Sequence, residues 1–353
     1  MTINAVDLLQ RLSETFGPSG FEDEVRDIVL DVVKPLVDEV RTDRLGNLIC
    51  TRRGRRDEVV LLDAHMDEVG FLISYIEDSG FLRLSPLGGW DARVLPAHAV
   101  TIRAADGSRV RGVIGSLPPH VTSESERGKA HKLEDLFVDI GARSRADVEE
   151  QGISVGSGCV PGYAFERLAD DLVIGKAFDD RAGCTIAACT LDALKDDELD
   201  ATLVCAFTTS EEVGLRGAQT VANQVSPHVA LALECTTAVD VPGVSGARKL
   251  AVMGQGPALT LADRSILASR DVVALLESTA AKESIPYHLK LPGGGGTDAG
   301  AIQTAGAGAL VGVVAVPARY IHAPVSMLRP SDLDASVRLT TGFVRNAGTL
   351  LTS

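Results

Sequence analysis

The chain has 353 residues, 45% hydrophobic and 23% charged, long enough to bury a large core in two domains or one enlarged one. Its formal charge of −14 argues against nucleic acid or an anionic membrane as a partner, and no apolar run is long enough to span a bilayer. The opening MTINAVDLLQRL lacks a basic stretch followed by an unbroken apolar core, so a cytoplasmic protein without a secretory signal is expected.

Helical apolar spacing is predicted over 6–16 and 21–37, split by the turn Gly17-Pro18-Ser19-Gly20. Residues 43–50 predict a turn entering a strand. The run EVVLLDA at 58–64 suits a strand covered on both faces, and it delivers His65 and, two residues on, Asp67. From 68 to 165 the texture changes to short β-like runs at 71–76, 99–104 and 109–114, with turns at Asp78-Ser79-Gly80 and Asp106-Gly107. This predicts a small β-rich domain inserted into an α/β domain formed by 1–67 and 166–353. A polar segment at 122–132 reads as a mobile loop of the insertion.

Past residue 170 the helical period returns. Asp179 and Asp180 stand at the amino end of a buried helix, where the dipole and free N–H groups favour anions. A strand over 201–209 ends at Glu211 and Glu212, and another over 228–233 ends at Glu234. A helix is predicted around 271–282, then the loop LPGGGGTDAG at 291–300, a strand at 309–316 with His322 beyond it, and a closing helix over 331–351 capped by Ser331. The six cysteines show no CxxC pairing and read as reduced core residues. The result is an α/β fold, a mixed central sheet flanked by helices.

Four of these strands carry histidine or carboxylate at or just beyond their carboxyl ends: His65, Glu211 with Glu212, Glu234, and His322. That is where ligands collect in open α/β sheets. Neighbouring carboxylates repel unless they share a cation or a proton. Two imidazoles among carboxylates suit zinc, cobalt or manganese, whereas magnesium and calcium favour oxygen alone. Two histidines and three carboxylates exceed one tetrahedral zinc with an open position but suit two ions bridged by one carboxylate. A further carboxylate would then stand outside as a base, taking a proton from a water held between the cations and passing it to a leaving amine. The glycines at 293–296 lack the Lys-Ser/Thr of a phosphate loop and read as a place of close backbone approach. His120, after two prolines, reads as an interface or loop residue.

Taken together, these stretches resemble the tetrahedral, co-catalytic metallo-aminopeptidases, also described as glutamyl or deblocking aminopeptidases. The resemblance runs through GPSGFE at 17–22, DRLGN at 43–47, AHMDEVGF at 64–71, PPH at 118–120 and LFVDIGA at 136–142. It continues through GKAFDDRAGC at 175–184, TTSEEVGLRGA at 208–218, GGTDAGAIQ at 295–303 and IHAP at 321–324. It implies a zinc-peptidase-like fold with a PDZ-like insertion used for dimerisation and access. The implied activity is removal of amino-terminal residues from peptides by two divalent ions, zinc or cobalt, that share a bridging hydroxide. A dimer-built tetrahedral dodecamer that admits unfolded peptides is also implied.

By the same resemblance His65, Asp179 and Glu234 hold one ion, and Asp179, Glu212 and His322 the other, with Asp179 bridging and Glu211 the general base. Asp67 orients His65, Asp180 shapes the backbone beside the bridge, and Thr297 and Asp298 lie near the substrate pocket. One departure stands out: Glu234 occurs where the family usually carries Asp, so reach and metal preference there are open. A glycoside hydrolase, a label attached to some relatives, would instead need two carboxylates flanking a sugar and no metal.

Overall fold

The computed structural model describes residues 2–121, 129–168, 171–291 and 295–351. Most of the polar segment expected at 122–132, and Gly293 and Gly294 of the glycine run, lie outside the described residues.

Four strands form the parallel heart of the sheet. Ala201–Thr208 pairs with Arg56–His65, which pairs with Val229–Thr237, which pairs with Leu310–Arg319, all parallel. Their carboxyl ends therefore share one edge. Antiparallel strands extend the sheet on both sides: Leu48–Arg52 and Glu39–Thr42 beyond Ala201–Thr208, and Ser326–Leu328, Leu172–Gly175 and Glu166–Leu168 beyond Leu310–Arg319.

Successive side chains of a strand point to opposite faces, so a run apolar at every position feeds two cores. In Ala201–Thr208, Leu203, Cys205 and Phe207 join one cluster, with the helices Ala5–Glu14, Asp23–Val33, Phe178–Leu194 and Pro330–Asn346. Val204 and Ala206 join the other, beneath Arg216–Val225 and Asp298–Gln303. All six cysteines are free and buried.

The strands Gly70–Ile76, Leu82–Leu87, Ala99–Arg103, Arg109–Gly115, Phe137–Asp139 and Gly158–Pro161 close a separate barrel. It has its own core, including Phe71, Ile73, Val100, Ile102, Ile114 and Val138. Two arginines of the barrel reach the helix Asp23–Val33: Arg103 makes a two-pronged contact with Asp23 at 2.6 and 2.8 Å, and Arg109 pairs with Glu24.

Several local expectations change. Ser331 is not the cap of the last helix: Arg329 holds that position and Pro330 follows as its first residue, where a fixed φ and a missing N–H are tolerated. The Ser331 N–H is met at 3.2 Å by the Asp171 carboxylate. The loop expected over 291–300 gives way to the helix Asp298–Gln303, and the short strands Ala258–Thr260, His288–Lys290 and Ser326–Leu328 had no clear pattern in sequence. Strands of three residues are too short for alternation to register.

Candidate metal centre

His65 ends the strand Arg56–His65 and is almost wholly buried. Its Nε2 lies 3.3 Å from Asp179 Oδ1, and 3.9 Å from both Glu211 Oε2 and Glu234 Oε2. On the other side of Asp179, His322 Nε2 lies 3.4 Å from Oδ2 and 3.3 Å from Glu212 Oε1. The two imidazoles thus address opposite oxygens of one carboxylate. Among the described residues, three sets of side chains could each hold a cation: His65, Asp179 and Glu234; His65, Glu211 and Glu212; and Asp179, Glu212 and His322. Within each set the donor atoms lie within 4.8 Å of one another.

The elements that deliver these groups differ from the sequence expectation at two points. Glu234 is not at the end of its strand, because Val229–Thr237 stays paired with Leu310–Arg319 for three residues past it, through Thr237. Its side chain reaches the cage from within the sheet. Asp179 and Asp180 precede the regular helix instead of forming its first turn, since both have non-helical backbones. Asp180 then caps the helix, its Oδ1 accepting from Gly183 N at 2.9 Å, while its Oδ2 accepts from His65 N at 3.2 Å. With both oxygens so engaged and the residue buried, Asp180 stands behind the cage.

Asp67 is joined to His65 in an unexpected way. Its main-chain carbonyl lies 3.1 Å from His65 Nδ1, nearer than its carboxylate at 3.4 Å. That carboxylate accepts from Glu211 N at 3.0 Å, Glu212 N at 3.2 Å and the Ser19 hydroxyl at 2.6 Å. One residue therefore orients the imidazole and anchors the turn bearing the two glutamates. For His322 the orienting partner is the Gly89 carbonyl, 3.0 Å from Nδ1. Each imidazole thus has an oxygen to hold a proton on Nδ1, leaving the Nε2 lone pair toward the cage.

The electrostatics point one way. Burial raises the carboxyls of Glu234, Glu211 and Glu212, with Asp180 and neighbouring acids adding to it at Glu234; Glu211 is pushed up to about 9. Burial alone would lower the histidines, but Glu211, Asp179 and Asp67 raise His65 well above its usual range, and Asp179 and Glu212 raise His322 to about 11. Asp179, despite burial, is held low by His322 and His65. A carboxylate cluster of this kind binds positive charge, as protons in the bare protein and as divalent cations by the same attraction.

Thr297 lines a cavity of about 590 Å³ that opens onto the cage and is also walled by Cys235, Thr236, Val239, Leu250 and Lys290. Asp298 does not line it. Being the first residue of a packed helix, it points behind the site, where its Oδ2 accepts the Thr208 hydroxyl at 2.8 Å. There it meets Asp63, which burial and the Asp298 charge raise far above the carboxylate range. Both Asp63 oxygens and Asp298 Oδ1 are buried there without a hydrogen-bond partner. The sequence carried a signal for Asp63, an acid within an apolar run. It carried none for Gly89, which enters from the barrel. His120 is exposed at the barrel surface, on the short turn Pro119–Val121.

Residues 46–339 match the family model for M42 glutamyl aminopeptidases. The structure is similar to a TET aminopeptidase from a marine-sediment thaumarchaeon, with 38% identity and a TM-score of 0.95 over 99% of this chain and 98% of that one. It is also similar to the TET1 peptidase of Pyrococcus horikoshii, which is described as assembling into a tetrahedron or a large octahedral shell. Identity there is 32% and the TM-score 0.86, over 97% of this chain and 99% of that one. The lysyl aminopeptidase of Pyrococcus furiosus is 31% identical over 96% of each chain.

Proposed function

The chain belongs to the M42 glutamyl aminopeptidase family, and from that premise we propose that its cage holds two divalent cations which serve the removal of amino-terminal residues from peptides. The sharing of Asp179 between His65 and His322 carries this reading. Imidazole nitrogens mixed with carboxylate oxygens fit zinc or cobalt better than magnesium or calcium. Glu212 Oε1 is buried with no regular hydrogen bond and faces His322 Nε2 at 3.3 Å across the cage, as befits an oxygen reserved for a cation. His65, Asp179 and Glu234 would hold one ion, and Asp179, Glu212 and His322 the other. Bound there, the ions supply carbonyl polarisation and acidification of water.

The remaining steps belong to the chain. Glu211 ionises once positive charge fills the cage, takes the proton of the attacking water and returns it to the leaving amine nitrogen. Asp67 keeps Glu211 and Glu212 in place through their N–H groups, and Asp180 fixes the start of the helix behind Asp179. Thr297 contacts the substrate from the cavity wall, while Asp298 supports the floor from behind. Peptides with a free amino terminus are the substrates.

Residues 68–165 act as an inserted PDZ-like domain on a zinc-peptidase-like catalytic domain of 1–67 and 166–353. That insertion mediates dimerisation, and dimers build a tetrahedral dodecamer in the cytoplasm. Among the described residues no helix is long and apolar enough to cross a membrane. Native mass spectrometry reads the assembly directly.

A chelator tests the activity. Aminoacyl amides are expected to be cleaved by the metal-loaded protein, to resist it after EDTA, and to be cleaved again when zinc or cobalt is restored. Cleavage of β-glucan that ignores EDTA would instead favour the glycosidase reading.

A further inference from the structure

The turn bearing Glu211 and Glu212 begins at Ser210, whose backbone is left-handed with φ 59°. Its first three N–H groups all point at carboxylates. Asp67 accepts two of them, from Glu211 and Glu212. The third, from Ser210, is accepted at 3.1 Å by Oε1 of Glu22, in the loop ahead of the helix Asp23–Val33. The same oxygen accepts from Gly20 N at 2.9 Å and lies 3.5 Å from the Ser210 hydroxyl.

Glu22 is 5% exposed, so its burial is costly, and burial first and then the Asp67 charge push its carboxyl upward. Support of its own helix does not account for it, because its side chain makes no capping bond there although it occupies the cap position. What it does hold is the backbone one residue ahead of Glu211. Ser19, from the same loop, holds Asp67.

We propose that Glu22 is a positioning residue, which through Ser210 N–H fixes the turn from which Glu211 and Glu212 enter the cage. The inference rests on the reading of Glu211 as base and Glu212 as ligand. It requires an acceptor oxygen at that place, not a charge. Glu22→Gln keeps the oxygen, Glu22→Met keeps the length without it, and Glu22→Asp withdraws it by one methylene.

Two measurements on the full chain decide it. In metal-free protein, amide hydrogen exchange of residues 210–212 should quicken about tenfold or more in E22M and stay near wild type in E22Q. In the zinc-loaded enzyme, kcat on an aminoacyl amide should fall about tenfold or more in E22M with KM within about twofold, while E22Q retains most of it. Unchanged exchange in E22M, equal damage in E22Q, or a loss confined to KM would overturn the proposal. Should E22M not fold, E22D is read in the same way. If wild-type protein shows no metal-dependent peptidase activity, the functional reading fails, whereas the exchange comparison still decides whether Glu22 holds the turn.

Discussion

The Nδ1 of His322 lies 3.0 Å from the carbonyl oxygen of Gly89, so an imidazole from the main sheet edge is steadied by a loop of the barrel. The neighbouring Gly88 touches the same corner. It has φ 80°, and a Cβ added there would stand 2.6 Å from Val69 Cγ1 and 3.0 Å from Glu212 Oε2.

Gly88→Ala should therefore weaken binding of the cation proposed to lie between Glu212 and His322. The side chain has no room and the left-handed backbone resists it by about 1 kcal/mol. Isothermal titration with zinc should register one weakened site and one near wild type. Two unaltered sites would show that the loop does not bear on the cage.

Glu211→Gln keeps the shape of the side chain and removes its capacity to carry a proton, which tests the role of base proposed for Glu211. A fall in kcat of about 10²–10⁴-fold is expected, with both metals still bound. Metal content by emission spectrometry on the assayed sample separates a lost base from a lost ligand. Near-normal turnover would exclude Glu211 from proton transfer.

Glu234→Asp keeps the charge and shortens the side chain by one methylene, about 1.5 Å of reach. Glu234 Oε2 is 3.9 Å from His65 Nε2, and the shorter acid starts from the same position within the strand. The variant should bind the ion at His65 more weakly or shift its zinc-to-cobalt preference, while Glu234→Gln should lose that ion more completely. Competitive metal titration reads both, and indifference to both changes would remove Glu234 from the ligand set.

The Arg103 and Asp23 contact ties the barrel to an amino-terminal helix, and the hydrogen bond from Arg103 holds the Asp23 carboxyl below its ordinary value. A carboxyl lowered in the folded state stabilises above its unfolded pKa and loses that contribution as pH falls through the folded value. Asp23→Asn should accordingly reduce stability at pH 7 and make less difference at about pH 3, below the ordinary aspartate value. Since the Asp23 side chain is 41% exposed, water screens the pair and the loss at neutral pH should be about 0.5–1 kcal/mol. Unfolding midpoints at the two pH values check the direction.

Much of this site was readable because apolar runs stop abruptly at chemistry. His65 closes a largely apolar strand, and Glu211, Glu212 and His322 come after one, so each polar residue stands out. Glu234 misled for the same reason: an acid in an apolar run looks like the end of a strand, but pairing with Leu310–Arg319 carries the strand on past it. Gly89, Glu22 and the buried meeting of Asp63 with Asp298 were illegible. Each acts on a partner far away in the chain, through a main-chain atom or a buried pairing that has no local period. The barrel was legible as β-rich texture, but its closure depends on strand pairing, which alternation does not encode.

The cage draws on positions from 65 to 322, and no short segment carries both imidazoles. If catalysis needs both imidazoles, as proposed above, a growing polypeptide would leave the ribosome inert until residue 322 had emerged and its sheet had closed. Potential degradative power would then be withheld from every unfinished copy.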